Sequence, residues 1–246
     1  MDKLYIVMPA YNEQDTIKKV IEEWYPVVEK TGKESRLVIV NDGSRDHTYQ
    51  IMQKCAQNRP QFIPLTKENS GHGATVLWAY QYALREGADY IFQTDSDGQT
   101  VPEEFGQFWE ERKNYDMIIG HRKHRQDGFS RYIVTKTLKY VIKFCFGVNV
   151  TDANTPFRLM KADTLKANIN LIPRDFNLSN VVISVIYAKK KLRVKYMPIT
   201  FRARQGGVNS INLRKISGIG LHAISDFRKI NETLKTVKNE KENQKH

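Results

Sequence analysis

IFQTDSDGQT, Ile91–Thr100, is the stretch on which the fold turns. Tyr90, Ile91 and Phe92 form a β-like apolar run that passes directly into Asp95-Ser96-Asp97. In α/β folds, ligands sit beyond the carboxyl ends of the strands. Two carboxylates one residue apart at such an end can reach one hard cation, Mg²⁺ or Mn²⁺, and a cation held so usually also holds phosphate oxygens. Taken alone, the same residues also suit a surface turn, because Asp and Gly favour turns. The surrounding sequence decides between the two.

Working outward, strand and helix signals alternate. Leu4–Met8, Leu37–Val40, Phe62–Leu65 and Tyr90–Gln93 read as strands, and residues 13–30, 46–58 and 73–87 read as helices with apolar residues at helical spacing. Alternation of this kind implies right-handed βαβ units and a mostly parallel sheet. Met117–Gly120 reads as a further strand, 132–146 as a helix with a basic side (Lys136, Lys139, Lys143), and 177–189 as a strongly apolar helix. Val194–Phe201 is a strand whose Pro198 suits a sheet edge. Residues 213–238 form a long basic amphipathic pattern that fits either a bilayer interface or packing on protein.

Each early strand ends in a polar cluster. These are Pro9-Ala10-Tyr11-Asn12-Glu13, Asn41-Asp42-Gly43-Ser44-Arg45-Asp46, Asn69-Ser70-Gly71-His72-Gly73 and Asp95-Ser96-Asp97-Gly98-Gln99. In a parallel sheet all four meet at one edge and line one crevice. The first junction has no G-x-G-x-x-G, which argues against a nicotinamide dehydrogenase. An ionised Asp42 can accept from uracil N3–H or from two donors on guanine, so it favours a UDP or GDP carrier. Asp42 could instead cap the next helix, although Asp46 is better placed for that.

The 246 residues suit one large α/β domain with an appendage. The 39 Lys+Arg against 27 Asp+Glu, net +12, suggest an anionic partner. A nucleic-acid-binding protein would explain that charge but not the acidic pair, and no aromatic–basic RNA motif is present. A phosphohydrolase would carry its D-x-D-G on the first strand, and a nucleotidyltransferase a Gly-rich first loop. Cys55 and Cys145 have no metal-type spacing, as expected in a reducing, cytoplasmic compartment. No run of apolar residues is long enough for a signal-peptide core or a bilayer span, so the expectation is a soluble or peripheral protein.

The set MPAYNE (8–13), NDGSRDHT (41–48), ENSGHGAT (68–75) and DSDGQ (95–99) resembles the family 2 inverting glycosyltransferases of the GT-A fold. Gly120-His121-Arg122, Asn154-Thr155-Pro156-Phe157-Arg158 and residues 204–210 extend the likeness to the polyprenyl-phosphate mannose and glucose synthase branch, over about residues 3–212. The resemblance implies a GT-A domain at 1–212, with a nucleotide-sugar half to about 120 and an acceptor half from 121, followed by a helix and polar tail at 213–246. It places Pro9, Tyr11, Glu13, Asp42 and Gly71 on the nucleotide, Asp95 on the ribose or donor sugar, and Asp97 with Gln99 on a Mg²⁺ or Mn²⁺. Arg122, Arg131 and Arg204 match positions that handle the acceptor phosphate. A hydroxyl acceptor, as in a surface polysaccharide or glycolipid, would instead need a general base; Asp175 is the candidate and Asp152 a second, unless Asp152 orients the 152–158 loop. The resemblance implies a UDP- or GDP-sugar donor and a polyprenyl-phosphate acceptor at the cytoplasmic membrane face, and leaves room for an oligomer. Two departures touch the acceptor region: Thr155-Pro156-Phe157-Arg158 where many synthases have SGFR, and Asn209-Ser210 where Ser-Lys is typical.

Overall fold

A computed structural model describes residues 2–122, 129–174 and 176–203 (for 129–136, the backbone), with positions 227, 228, 230–232 and 236 beyond. The chain begins β1 (Leu4–Ala10), α1 (Ile17–Thr31), β2 (Arg36–Asp42), α2 (Thr48–Ala56), β3 (Phe62–Lys67), α3 (His72–Arg85) and β4 (Tyr90–Thr94). The expected alternation is therefore present. Each of the first three strands runs further than its apolar run. Ladder bonds are made by the backbone and tolerate polar side chains, so Asn41 pairs with Thr66 and Asp42 with Lys67 at the ends of β2 and β3.

After β4 come a 3₁₀ turn (Pro102–Glu104), α4 (Phe105–Glu111), β5 (Met117–Arg122), α5 (Phe129–Phe146), β6 (Phe157–Lys161), α6 (Ala162–Ile169), α7 (Ser179–Lys189) and β7 (Val194–Ile199). The strands form one sheet in the order β3-β2-β1-β4-β6-β5-β7. All neighbours are parallel except that β6 runs antiparallel to both β4 and β5. This reversal brings the loop before β6 to the edge where the other strands end. Phe157, the first residue of β6, lies opposite Thr94, the last of β4. β6, α4 and α6 are additions to the sequence reading: each is short, and β6 carries an arginine at its second position. β7 is an edge strand, as Pro198 suggested.

Both faces of the sheet are covered. Tyr5 and Val7 of β1 face a cluster built with α3 and α7, while Leu4, Ile6 and Met8 face one built with α1. Successive strand side chains point to opposite faces, so a strand buried on both sides reads as a continuous apolar run. On the α1 face the Trp24 ring lies 5.4 Å from Phe92 and 6.1 Å from Phe157, joining helix, β4 and β6. α7 is buried from Ser179 through Tyr187, which accounts for its apolar character all round. Most of the amphipathic 213–238 pattern lies outside the described residues. Within it, Phe227 is buried with its ring 5.3 Å from Phe146. No helix among the described residues is long and apolar enough to cross a membrane.

Candidate active site

Four βα loops meet at the carboxyl edge of β1–β4 and are stitched to one another by side-chain-to-backbone bonds. The Asn12 N–H donates to Ser44 Oγ at 2.9 Å, and Asn12 Oδ1 accepts the Arg45 N–H at 2.9 Å. Asn12 makes this exchange from a left-handed backbone, φ 53°, a conformation Asn tolerates better than most residues. The Glu13 N–H donates to Thr48 Oγ1 at 2.8 Å, and Glu13 Oε2 accepts from Thr16 Oγ1 at 2.8 Å. The N-cap of α2 is His47, and Asp46, expected to cap, lies one residue before it and accepts the Thr48 N–H at 3.0 Å. The Ser96 hydroxyl donates to the Pro9 carbonyl at 2.8 Å and ties the β4 loop to the β1 loop. Tyr11 stands 43% exposed on this edge.

Asp42 organises the β3–α3 loop. Its Oδ1 accepts from Lys67 Nζ at 2.5 Å and from the Ser70 N–H at 2.9 Å, and its Oδ2 accepts the Gly71 N–H at 3.0 Å. The β2/β3 register sets this contact, since Asp42 and Lys67 are ladder partners. Burial disfavours the charge on Asp42, but the bonds from Lys67 and Ser70 outweigh it and hold the carboxyl below its ordinary range. The group is thus a fixed anion. Oδ2 carries only one of these bonds, and a carboxylate oxygen can accept more.

At the end of β4 a buried polar chain aims Asp95. The Tyr80 hydroxyl donates to Gln93 Oε1 at 3.4 Å, and Gln93 Nε2 donates to Asp95 Oδ1 at 3.2 Å. His72, the first residue of α3, lies with Nε2 3.0 Å from the same Oδ1. Desolvation lowers the His72 pKa, but Asp95, then Asp97 and Asp42, raise it above its ordinary value. Asp97 Oδ1 accepts the Gln99 N–H at 3.1 Å. Gln99 is buried and anchored to the segment after β7: its Nε2 donates to the Arg202 carbonyl at 2.9 Å and its carbonyl accepts the Arg202 N–H at 2.8 Å.

Among the described residues no three His, Cys, Asp or Glu side chains gather closely enough to hold a metal by themselves. Asp97 and Gln99 carry oxygen donors, the kind a hard cation such as Mg²⁺ takes alongside phosphate and water.

The other half of the edge is built differently. Arg122, at the end of β5, forks onto Asp152: Nε donates to Oδ2 at 3.0 Å and a terminal nitrogen to Oδ1 at 2.8 Å. Two residues singled out separately in the sequence, a phosphate binder and a second candidate base, are thus one ion pair, stacked 5.1 Å from the Phe201 ring. Arg158 is fully buried and donates to the carbonyls of Ala153, Thr155 and Asn180 at 2.8–3.1 Å. It belongs to the Thr155–Arg158 motif and fastens the loop before β6 to α7. Its signal in the sequence was an arginine inside the apolar run Phe157-Arg158-Leu159-Met160.

Gly73 of α3 meets the 176–177 backbone. A Cβ there would come within 2.4 Å of the carbonyl oxygens of Phe176 and Asn177. The chain next to position 175 is therefore seated at the start of α3, beside His72. Asp175 itself, Arg204 and the side chain of Arg131 lie outside the described residues.

The family model described as "Glycosyl transferase family 2" matches residues 5–168. Curated relatives include an undecaprenyl-phosphate 4-deoxy-4-formamido-L-arabinose transferase of Edwardsiella ictaluri, 23% identical over 214 residues, covering 86% of this chain and 63% of that protein. The same enzyme of Pectobacterium atrosepticum is 24% identical over 198 residues, covering 76% of this chain and 60% of its own. This chain therefore spans less than two thirds of their length. Among solved structures, glucosyl-3-phosphoglycerate synthase from Mycobacterium tuberculosis with Mn²⁺ and UDP-glucose superposes with a TM-score of 0.66 at 14% identity, over 94% of this chain and 79% of that one. Its complex with phosphoglyceric acid gives 0.63 at 17%, over 95% and 79%. At such identity the likeness establishes a shared GT-A architecture.

Proposed function

The chain belongs to glycosyl transferase family 2, and on that premise we propose that it moves a hexose, with inversion, from a nucleoside-diphosphate sugar to a polyprenyl phosphate at the cytoplasmic face of a membrane. It is a glycosyltransferase by family. The observation that carries the finer reading is the convergence of Asp42, Asp95 and Asp97 on one strand edge, held there by bonds between loops. Residues 1–212 form the catalytic domain and 213–246 an appended helix and tail. The UDP-glucose in the superposed synthase favours UDP over GDP, and the curated relatives' names favour a lipid phosphate.

In this reading Pro9, Tyr11, Glu13, Asp42 and Gly71 surround the nucleotide. Asp42 faces the base as a permanent acceptor, its charge secured by Lys67. Asp95, aimed by Gln93, takes the ribose or sugar hydroxyls. Asp97 and Gln99 would hold a divalent cation, Mg²⁺ or Mn²⁺, which would supply positive charge to the departing diphosphate. An acceptor oxygen attacks the anomeric carbon from the side opposite the diphosphate. The bond to the diphosphate oxygen breaks, and that oxygen leaves with the electron pair. A phosphate acceptor is already anionic and needs no base; Arg122, Arg131 and Arg204 orient it.

A second reading has its own support. The Arg122 guanidinium is already matched by Asp152, which leaves less positive charge for a phosphate. A hydroxyl acceptor with Asp175 as general base is the alternative, and the packing of the 176–177 backbone on Gly73, next to His72, supports it. Incubation with labelled UDP- and GDP-hexoses, Mn²⁺, and either undecaprenyl phosphate or a hydroxyl-terminated glycolipid separates the two. Label in an acid-labile lipid phosphodiester supports the first reading. Label only in the glycolipid supports the second, and transfer to neither contradicts both.

A further inference from the structure

The outer face of α5 carries two large aromatic rings in the open, where a folded surface is normally polar. Tyr140 is 70% exposed and Phe144, one turn on, is 81% exposed. The opposite face is firmly packed, with Ile142, Cys145 and Phe146 buried in the core cluster that contains α7. Lys139 and Lys143 flank the aromatic pair and are exposed. α5 contains no Asp or Glu at all.

We infer that this face rests on an anionic lipid bilayer, with Tyr140 and Phe144 in the headgroup layer and Lys139 and Lys143 on the lipid phosphates. Aromatic rings with one apolar body favour that interface, and lysines beside them gain from its negative potential. The whole chain, at +12, has the complementary sign. A second copy of the chain is the poorer occupant on two counts. Two-fold pairing through this face would bring its lysines together with no carboxylate on the helix to offset them. Two aromatic side chains also cover far less than the ~800 Å² per partner of a stable interface. A bilayer needs no such area, because insertion scales with the few apolar groups that enter it. α5 is the next helix after β5, whose end bears Arg122, a residue proposed above to meet the acceptor. That last link rests on the lipid-acceptor reading; exposure and charge do not.

The test is sedimentation of the full chain with phosphatidylcholine vesicles, with and without phosphatidylglycerol. Binding is expected only with the anionic lipid, and it should weaken with salt. Tyr140→Ser/Phe144→Ser should lower partitioning roughly tenfold or more, and Lys139→Ser/Lys143→Ser about fivefold per lysine. Both variants alter exposed positions, so their thermal unfolding and UDP binding should match the parent. Equal partitioning of parent and Tyr140→Ser/Phe144→Ser overturns the inference. So does a parent that ignores anionic vesicles, or one that elutes as a dimer where that variant elutes as a monomer. Sugar transfer to a short-chain, water-soluble polyprenyl phosphate reads the functional proposal separately. If that transfer fails while vesicle binding still depends on Tyr140 and Phe144, the surface stands and the acceptor assignment falls.

Discussion

The two halves of the active edge are held by different forces. On the β3-β2-β1-β4 side, neighbouring loops exchange short bonds between side chains and backbone, as in Asn12 with Ser44 and Arg45, or Asp42 with Ser70 and Gly71. On the β6-β5-β7 side the organisers are two arginines. Arg158 is buried among carbonyls, and Arg122 is forked onto Asp152 thirty residues away. The first arrangement joins neighbouring βα loops, mostly through backbone groups. The second spans no greater distance along the chain but rests on a few charged side chains. In the proposed reading the nucleotide pocket rests on bonds between adjacent loops, whereas the acceptor side needs particular charges to find one another.

The largest effect should come from the first side. Asp97→Ala should lower metal-dependent turnover roughly a thousandfold. Unfolding should be little changed, because the residue sits at a loop and not in the core. Steady-state assay beside a urea melt checks both halves of that statement.

Next comes a blow to the second side. Arg158→Met removes the donors to three buried carbonyl groups, and the fold should lose roughly 4 kcal/mol in urea unfolding. Arg158→Lys should recover little, because an ammonium cannot reproduce the planar fork. A melt unchanged by Arg158→Met would remove the contrast between the two sides.

Gly73→Ala tests the seam between them. Its methyl would meet main-chain carbonyls at 176 and 177, which cannot rotate away. The expected cost is about 3 kcal/mol, with a further loss of activity if that loop serves the acceptor.

Asp42→Asn should be milder, about 2 kcal/mol, since Lys67 keeps Ser70 Oγ and the Glu68 carbonyl as partners. It also has a pH signature. The folded pKa of Asp42 is lowered, so its contribution is complete above its unfolded value near ~4 and is lost as pH falls through the folded value. The parent should therefore lose stability more steeply below pH ~4 than Asp42→Asn does. Parallel acid limbs in thermal unfolding would argue against the Lys67–Asp42 contact.

The contrast also explains what could be read from the sequence. β1 to β4 and their polar ends were legible because each strand holds a continuous apolar run with polar residues close behind it. β6 was not, because five residues with Arg158 inside read as a motif. Only the fold shows that β6 reverses direction, which brings the loop before it to the edge. Asp42 was read as a ligand group kept free by Asp46. Asp46 does bond the first N–H of α2 from just before its N-cap, but Asp42 is also the clamp on 70–71, a role that depends on the β2/β3 register. Arg122 was placed on the acceptor phosphate by resemblance, and its pairing with Asp152, thirty residues on, was not legible. No local pattern signals a pair of that kind.

The central claim is that the β4 carboxylates and the Asp42 loop form one metal-dependent nucleotide-diphosphate site. Thermal unfolding with UDP, with and without Mn²⁺, for the parent and Asp97→Ala tests it most directly. A ligand at about a hundred times its Kd stabilises the native state by roughly 2.7 kcal/mol. The parent should show a clear rise in Tm with UDP and Mn²⁺ together, a small one with either alone, and the joint effect should vanish in Asp97→Ala. A UDP shift that ignores Mn²⁺, or one that survives Asp97→Ala unchanged, would contradict the account.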